Sequence, residues 1–315
     1  MMRNKFQLPD ELNFLTVGRL PQKVSTTRMD GKVCVITGTT SGVGRQAALR
    51  LAKAGAKIVM MVRNVEKAEN FCAEIRSISE VEPAYFLADF TDLSQVRKVT
   101  QEILNAYPKI DVLINNAGIH MTTRHLTVDG NEAAFAVNHL ASFLITSLLL
   151  KRMTESAPSR IIQVNSEGHR FNGLRLDDLN WGKRRYNGYL GYGASKVAQL
   201  MTVWELNDLL KGKGVTINAM HPGAVKSNIG TNNGILYNLF SRYLIQPGLK
   251  SPIISGEALY YLASSPELED ISGKFYNLTN EEIPAPHARN RELGRQVFQK
   301  SIELTNLTNE NVYEV

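Results

Sequence analysis

Thr37-Gly38-Thr39-Thr40-Ser41-Gly42-Val43-Gly44 is the stretch whose reading decides the fold. It follows Val33-Cys34-Val35-Ile36, a short β-branched apolar run, and opens into Arg45–Ala54, where apolar residues recur at helical spacing. Strand, glycine-rich turn and helix in that order make a cradle for phosphate. Gly38 permits the tight turn, Gly42 lets the backbone approach a pyrophosphate, and Gly44 lets helix and strand pack closely. Thr40, Ser41 and Val43 share the turn, and the free N–H groups of the helix N-terminus would face the anion. An ordinary strand-to-helix turn is the bland alternative; the strand–turn–helix context favours dinucleotide binding.

Outward from this turn the chain alternates short apolar runs with longer amphipathic ones. Strands are expected at Val33–Thr37, Lys57–Val62, Ala84–Ala88, Val112–Asn115, Ile161–Asn165, Thr216–Met220 and Lys274–Leu278. Helices are expected at Gly42–Ala54, Val65–Ser79, Leu93–Tyr107, Gly130–Met153, Gly191–Leu210, Gly256–Ala263 and roughly His287–Leu304. Continuous apolar strands separated by helices predict an α/β, Rossmann-type, doubly wound parallel sheet of about seven strands, with helices on both faces. No composition break divides the ladder, so a single domain is expected over residues 29–283. Residues 1–28 read as an extension, and 284–315 as a terminal helix and tail. Two long loops, 167–190 and 226–252, depart from the ladder, and loops of that length are usually functional. The second contains the apolar piece Ile235–Phe240, which suits an apolar substrate.

Charge and cysteine usage narrow the class. The 36 basic and 30 acidic residues leave a mild, dispersed +6 that suits a small anionic ligand better than a nucleic-acid groove. Cys34 and Cys72 form no CxxC pair, which fits a reducing compartment. Residues 1–28 hold no apolar run, and the longest elsewhere, Leu140–Leu150, reads as too short to span a bilayer. A soluble, cytoplasmic protein, at most peripheral to a membrane, is therefore expected. The six histidines lack H-E-x-x-H or cysteine partners, so no metal site is expected. His169 and His221 read as satisfied loop histidines near the site's rim.

The end of the second strand bears on the choice of cofactor. An acidic residue there would bind a ribose 2′-hydroxyl, whereas a cation accommodates a 2′-phosphate. The sequence reads Met61-Val62-Arg63-Asn64, and the guanidinium of Arg63 points to NADP(H). Arg45 could add to the field, and Asn64 lies within reach of the same nucleotide.

Tyr192 and Lys196 sit one helical turn apart on one face. A free phenol titrates near pH ~10, too high to shuttle protons at neutrality, and a neighbouring ammonium would bring it down. Tyr192 then reads as general acid/base, with Lys196 tuning it and holding the nicotinamide ribose. Ser166 ends the fifth strand, where open α/β sheets bind ligands, and could polarise a carbonyl. Asn138 interrupts an apolar helix and must find partners, either as a crosslink or in a proton path to Lys196.

Together these residues resemble the short-chain dehydrogenase/reductase family from about Met29 to Leu307. Its landmarks appear in order: the Thr37–Gly44 turn, Asp89, Asn115-Asn116-Ala117-Gly118, Asn138, Ser166, Tyr192, Lys196 and His221-Pro222-Gly223. The resemblance implies further cofactor contacts from Asp89, Phe90, Asn116, Ala117, Gly118, Pro222, Gly223, Val225 and Ser227. Within the family the chain is most similar to the retinol-dehydrogenase-like branch. The marks are the long Ser166–Tyr192 interval with Asp178-Leu179-Asn180, Ser272-Gly273-Lys274-Phe275, and Pro284-Ala285-Pro286 before a last helix. That branch implies NADP and a lipophilic alcohol or aldehyde, hence an alcohol dehydrogenase or carbonyl reductase. It also implies that the helices after Gly130 and Gly191 pair across a homo-oligomer. One departure stands out: Asn165 occupies the position where the family usually has Ser.

Other classes fit less well. No Gly-x-Ser-x-Gly surrounds Ser166, which disfavours a hydrolase. The C-terminal region is small for a sugar-nucleotide epimerase. A non-catalytic NADP-binding redox sensor or scaffold is the main alternative, although such a protein would not need a tuned tyrosine.

Overall fold

The structure is a computed structural model that describes residues 14–226, 229, 233 and 249–313. One eight-stranded sheet organises it, in the order β3-β2-β1-β4-β5-β6-β7-β8. Strands β1 (Val33–Thr37), β2 (Lys57–Val62), β3 (Ala84–Leu87), β4 (Val112–Asn115), β5 (Ser159–Val164), β6 (Val215–His221) and β7 (Phe275–Asn277) run parallel. Only β8 (Asn280–Glu281) is antiparallel. The chain moves outward from β1 in one direction to β3, then restarts on the other side at β4. The strand order reverses between β1 and β4, and open α/β sheets take their ligands beyond the strand ends at such a switch.

Helices cover both faces because successive strand residues point to opposite sides. Ile36 and Met60 join one apolar cluster with α1 (Gly42–Lys53), α2 (Val65–Arg76) and α6 (Ile253–Ser264). Val35 and Met61 join the other with α3 (Leu93–Ala106), α4 (Ala133–Glu155), α5 (Gly188–Leu209) and α7 (Arg291–Leu304). Burial on both faces accounts for the unbroken apolar strands that the sequence shows.

The expected elements form, with ends moved by caps. Helix α4 begins at Ala133 rather than Gly130 because the buried Glu132 carboxylate accepts from the N–H groups of Ala134 and Phe135. Helix α5 begins three residues before the expected Gly191, since Asn187 Oδ1 accepts from Tyr189 and Leu190. The two-residue β8 was not foreseen; it is too short to show alternation.

Two expectations need correction. By length and composition α4 could cross a membrane, with mean hydropathy 1.8, although Leu140–Leu150 alone read as too short. Its apolar window is 94% buried inside the fold, as befits a core helix. The described part of the N-terminal segment is also not outside the fold. Lys23 N–H donates to Thr279 Oγ1 at 2.8 Å, and Tyr260 Oη donates to the Thr27 carbonyl at 2.6 Å. These bonds strap residues 22–28 across α6 and the β7–β8 turn. Most of loop 226–252, including Ile235–Phe240, lies outside the described residues.

Candidate active site

The glycine turn has the conformation its residues allow. Gly38 and Gly42 take φ of 70° and 58°, which only glycine adopts without strain. A Cβ on Gly44 would stand 2.3 Å from Asn116 Nδ2 and 2.5 Å from the Gly38 carbonyl, so the close approach demands glycine there. Asn116 Nδ2 donates to the carbonyls of Thr37 and Gly38, and Thr37 Oγ1 accepts from the N–H groups of Asn116 and Ala117. The Asn116–Gly118 run is thereby locked against the turn. Ser41 begins α1 without a side-chain cap, which leaves the first amides, Gly42 and Val43 among them, for an anion. Thr39 Oγ1 is buried in the same turn with no partner among the described residues. Uncapped amides and an orphaned hydroxyl fit the diphosphate of a dinucleotide.

The neighbouring strand ends extend this cradle. Gly38 N–H donates to the Met61 carbonyl at 2.9 Å, and Ala88 N–H to the Val62 carbonyl at 2.9 Å. Arg63 therefore stands between the turn and Asp89, exposed to solvent. Asp89 Oδ1 accepts from Thr91, and Phe90 is buried beside it. Two predicted groups are otherwise engaged. Asn64 caps α2 through Lys67 N–H at 2.8 Å, and Arg45 pairs with Glu74 over the ring of Phe71. On the opposite rim, the Pro222 carbonyl accepts from Ser255, Gly223 takes φ of 79°, and Val225 bridges to Lys250. Ser227 lies outside the described residues.

Ser166, Tyr192 and Lys196 meet at the carboxyl end of β5. Ser166 Oγ accepts Gly168 N–H at 3.0 Å and lies beside the Tyr192 ring, both facing the Cα of Gly168. Gly168 and Gly193 make the approach possible. A Cβ on Gly168 would stand 2.8 Å from Tyr192 Cε1, and one on Gly193 2.7 Å from the Gly168 carbonyl. Lys196 Nζ is directed inward, donating to the Val164 carbonyl at 2.8 Å and to Gln199 Oε1 at 3.3 Å. It lies 5.8 Å from the centre of the Tyr192 ring.

This geometry departs from an ammonium-acidified phenol. Burial raises the Tyr192 phenol above its ordinary value, with the neighbouring Ser166 hydroxyl opposing it. Burial also pushes Lys196 down to about 7. Desolvation disfavours the charged form of each.

Asn138 falls in a π-helical turn, Ala136–Leu140, within α4. Its side chain is a crosslink: Oδ1 accepts from Ile119 N–H at 2.7 Å, while Nδ2 donates to the Ile119 carbonyl and Ser195 Oγ. Its freed main-chain carbonyl accepts from Gln199 Nε2 at 3.1 Å.

Sequence reading missed the scaffold beneath Ser166. His169 is fully buried rather than a rim histidine. Its Nε2 accepts from Ala285 N–H, so Nδ1 donates to the Ser166 carbonyl at 2.7 Å. His221 Nδ1 faces the Glu167 N–H at 3.4 Å. Arg170 bridges Glu167 and Glu282 at 2.5 Å each, tying this loop to β8. Burial and the nearby Glu282 push Glu167 up to about 7. The ring of His120 lies edge-on to Tyr192, with centroids 5.8 Å apart. Gly168 and Gly193 were the available signals; no pattern in the sequence links His169 to Ala285. A surface cavity of about 620 Å³ beside Leu176, Arg295 and Lys300 contains none of these residues.

Known proteins resemble this chain in sequence and in fold. The family model for short chain dehydrogenase matches residues 32–234. Human retinol dehydrogenase 13 is 37% identical over 308 residues, covering 96% of this chain and 92% of that protein. Human retinol dehydrogenase 14 is 37% identical over 293 residues, covering 87% and 86%. The crystal structure of an uncharacterized protein from Mycobacterium paratuberculosis superposes with a TM-score of 0.73 at 29% identity, over 91% of this chain and 98% of that one. The chain belongs to the short-chain dehydrogenase family, in its retinol-dehydrogenase-like branch. It is thus an oxidoreductase of the kind that uses a nicotinamide cofactor on CH–OH or C=O groups.

Proposed function

We propose that this chain interconverts a lipophilic alcohol and its aldehyde or ketone, with NADP(H) as the hydride carrier. The observation that carries the reading is the side-by-side placement of Ser166 and Tyr192 over Gly168 at the carboxyl end of β5, with Lys196 one turn further along the same helix. When bound, the nicotinamide supplies or accepts the hydride. The uncapped amides of α1, Thr39 and the Asn116–Gly118 run would hold its diphosphate side. Arg63, exposed at the end of β2 where NAD enzymes carry an acid, supports preference for a 2′-phosphate.

The protein's own groups divide the remaining work. Ser166 Oγ and the Tyr192 phenol orient a substrate carbonyl between them and donate hydrogen bonds to its oxygen. Tyr192 then gives its proton to that oxygen on reduction, or takes it back on oxidation. With its pKa raised, the half-buried Tyr192 phenol is neutral at working pH, the correct starting state for reduction. The likeness to retinol dehydrogenases supports a lipophilic substrate. Burial of α4 inside the fold supports a chain that does not use this helix to enter a membrane.

A decisive experiment compares wild type with Tyr192→Phe on a panel of aldehydes and ketones, following NADPH absorbance. Wild type should turn over at least one lipophilic carbonyl with NADPH in preference to NADH. The Phe variant should lose at least about 100-fold in kcat while binding NADPH nearly as tightly. Wild-type turnover by the variant would remove the assignment. Tight NADPH binding without turnover by either protein would favour a sensor or scaffold.

A further inference from the structure

Asn165, the departure from the family's Ser, meets the amide three residues beyond Lys196 in one buried volume. Gln199 is 1% exposed, and Asn165 and Lys196 are each 2% exposed, so their polar atoms must satisfy one another. Gln199 Oε1 accepts from Asn165 Nδ2 at 2.9 Å and from Lys196 Nζ at 3.3 Å. Its Nε2 donates to the Asn138 carbonyl at 3.1 Å and to Gln163 Oε1 at 3.1 Å. Both donors and both lone pairs of this amide are committed.

The polarity of the network is fixed from below. Thr146 Oγ1 donates to the Ser142 carbonyl at 2.7 Å, and therefore accepts from Gln163 Nε2 at 3.2 Å and Asn115 Nδ2 at 2.8 Å. That turns Gln163 Oε1 toward Gln199 Nε2, and so turns Gln199 Oε1 toward Lys196. Asn165 closes the circuit: Nδ2 also reaches the Lys196 carbonyl at 2.9 Å, and Oδ1 accepts the Ser166 N–H at 2.8 Å.

We infer that Asn165 and Gln199 form a positioning pair that holds the Lys196 amine and the Ser166 backbone in fixed register. The inference rests on the reading of Ser166, Tyr192 and Lys196 given above. Neither member of the pair is placed at the reacting atoms; each acts through a neighbour. A Ser at position 165, one carbon and one amide shorter, would not span from the Ser166 N–H to Gln199 Oε1 as Asn165 does here. The titratable groups facing Lys196 are Tyr192 on its own helix and His139 on α4. Burial holds the His139 imidazole down at about 3, so it stays neutral through the working range.

Two substitutions at one position give opposite signs. Gln199→Met removes one of the two oxygens that hold Lys196 Nζ, disfavouring the ammonium. Gln199→Glu keeps an oxygen there and adds a negative charge, favouring it. The test follows the ¹⁵Nζ resonance of Lys196 in lysine-labelled, cofactor-free protein, assigned by its loss in Lys196→Arg. Relative to wild type, the midpoint should fall by about one pH unit in Gln199→Met and rise by about one in Gln199→Glu. The pH limb of kcat should move in the same two directions. Gln199→Asn, which withdraws the amide by one methylene, should lower the midpoint by less than Gln199→Met and carries the test should the Met variant not fold.

Folded variants that titrate with the wild-type midpoint would overturn the pair, as would shifts of the same sign in Met and Glu. Non-additive shifts in Asn165→Ser combined with Gln199→Asn should accompany the pairing, and strictly additive ones would break it. Tyr192→Phe separates the two levels. Wild-type turnover by that variant defeats the catalytic reading whatever Lys196 does, whereas an inactive Tyr192→Phe beside unmoved Lys196 midpoints defeats the pair alone.

Discussion

Gly168 shows how much a missing side chain can decide. Its Cα sits where a methyl would meet the Tyr192 ring at 2.8 Å and Ser166 Oγ at 3.3 Å, so the phenol and the hydroxyl share space that only hydrogen leaves open. Gly168→Ala is expected to push the two apart and cut kcat by about 100-fold, since misplacement by ~1 Å has that effect. Cofactor affinity should stay close to wild type, because the atoms nearest that methyl belong to Tyr192 and Ser166 rather than to the Thr37–Gly44 turn; steady-state kinetics beside a cofactor titration checks both. At this scale the sequence was informative for groups that do chemistry and poor for groups that hold them. Tyr192, Lys196 and Ser166 could be named because their types are tied to a reaction and their positions to a strand end or helix turn. Asn165, His169 and Gln199 work through contacts spanning up to 116 positions, as from His169 to Ala285, and no local spacing encodes such a contact. The inward direction of Lys196 was hidden for the same reason: its partners, Val164 and Gln199, become visible only once β5 and α5 are packed.

Among the elements, α4 does most to shape the site, and its start is chemically specific. Glu132 is fully buried, accepts two helix amides, and receives the Tyr186 hydroxyl at 3.0 Å. Glu132→Ala would orphan all three donors and is expected to destabilise the fold by about 2 kcal/mol or more, read from the urea midpoint. Glu132→Gln, which retains acceptor oxygen, should lose less. The periodic apolar pattern was enough to find α4 and α5, because an amphipathic repeat over many residues is a strong signal. Their first turns were misplaced by three residues because the caps, Glu132 and Asn187, were not weighed against the glycines nearby. The π turn at Ala136–Leu140 has no propensity signature, yet it frees the Asn138 carbonyl that Gln199 uses.

For the whole molecule, a doubly wound parallel sheet followed from the alternation of apolar runs and helices, whereas the strand order and its switch between β1 and β4 come from the packed structure. What could not be read was how the chain's two ends close on the sheet. The N-terminal strap reaches Thr279 across 256 positions, and Arg170, paired with Glu167, reaches Glu282 across 112. Global stability should carry the mark of the second closure. Glu167 titrates at about 7 in the fold, above its ordinary value of 4.5, so the folded state binds the extra proton between those two values. A raised carboxylate contributes stability that is fully present below pH ~4.5 and is lost as pH rises through ~7. Unfolding free energy is therefore expected to decline over that window, and Glu167→Gln to flatten the decline. A slope unchanged in the Gln variant would assign the loss to other groups.

The far edge of the sheet has a consequence for behaviour in a crowded solution. A strand of two residues, laid antiparallel on β7 with a Lys274–Glu281 ion pair across it, terminates the ladder. So short and charged a border offers another molecule almost nothing to pair with, and β-mediated clumping should find no foothold on that side.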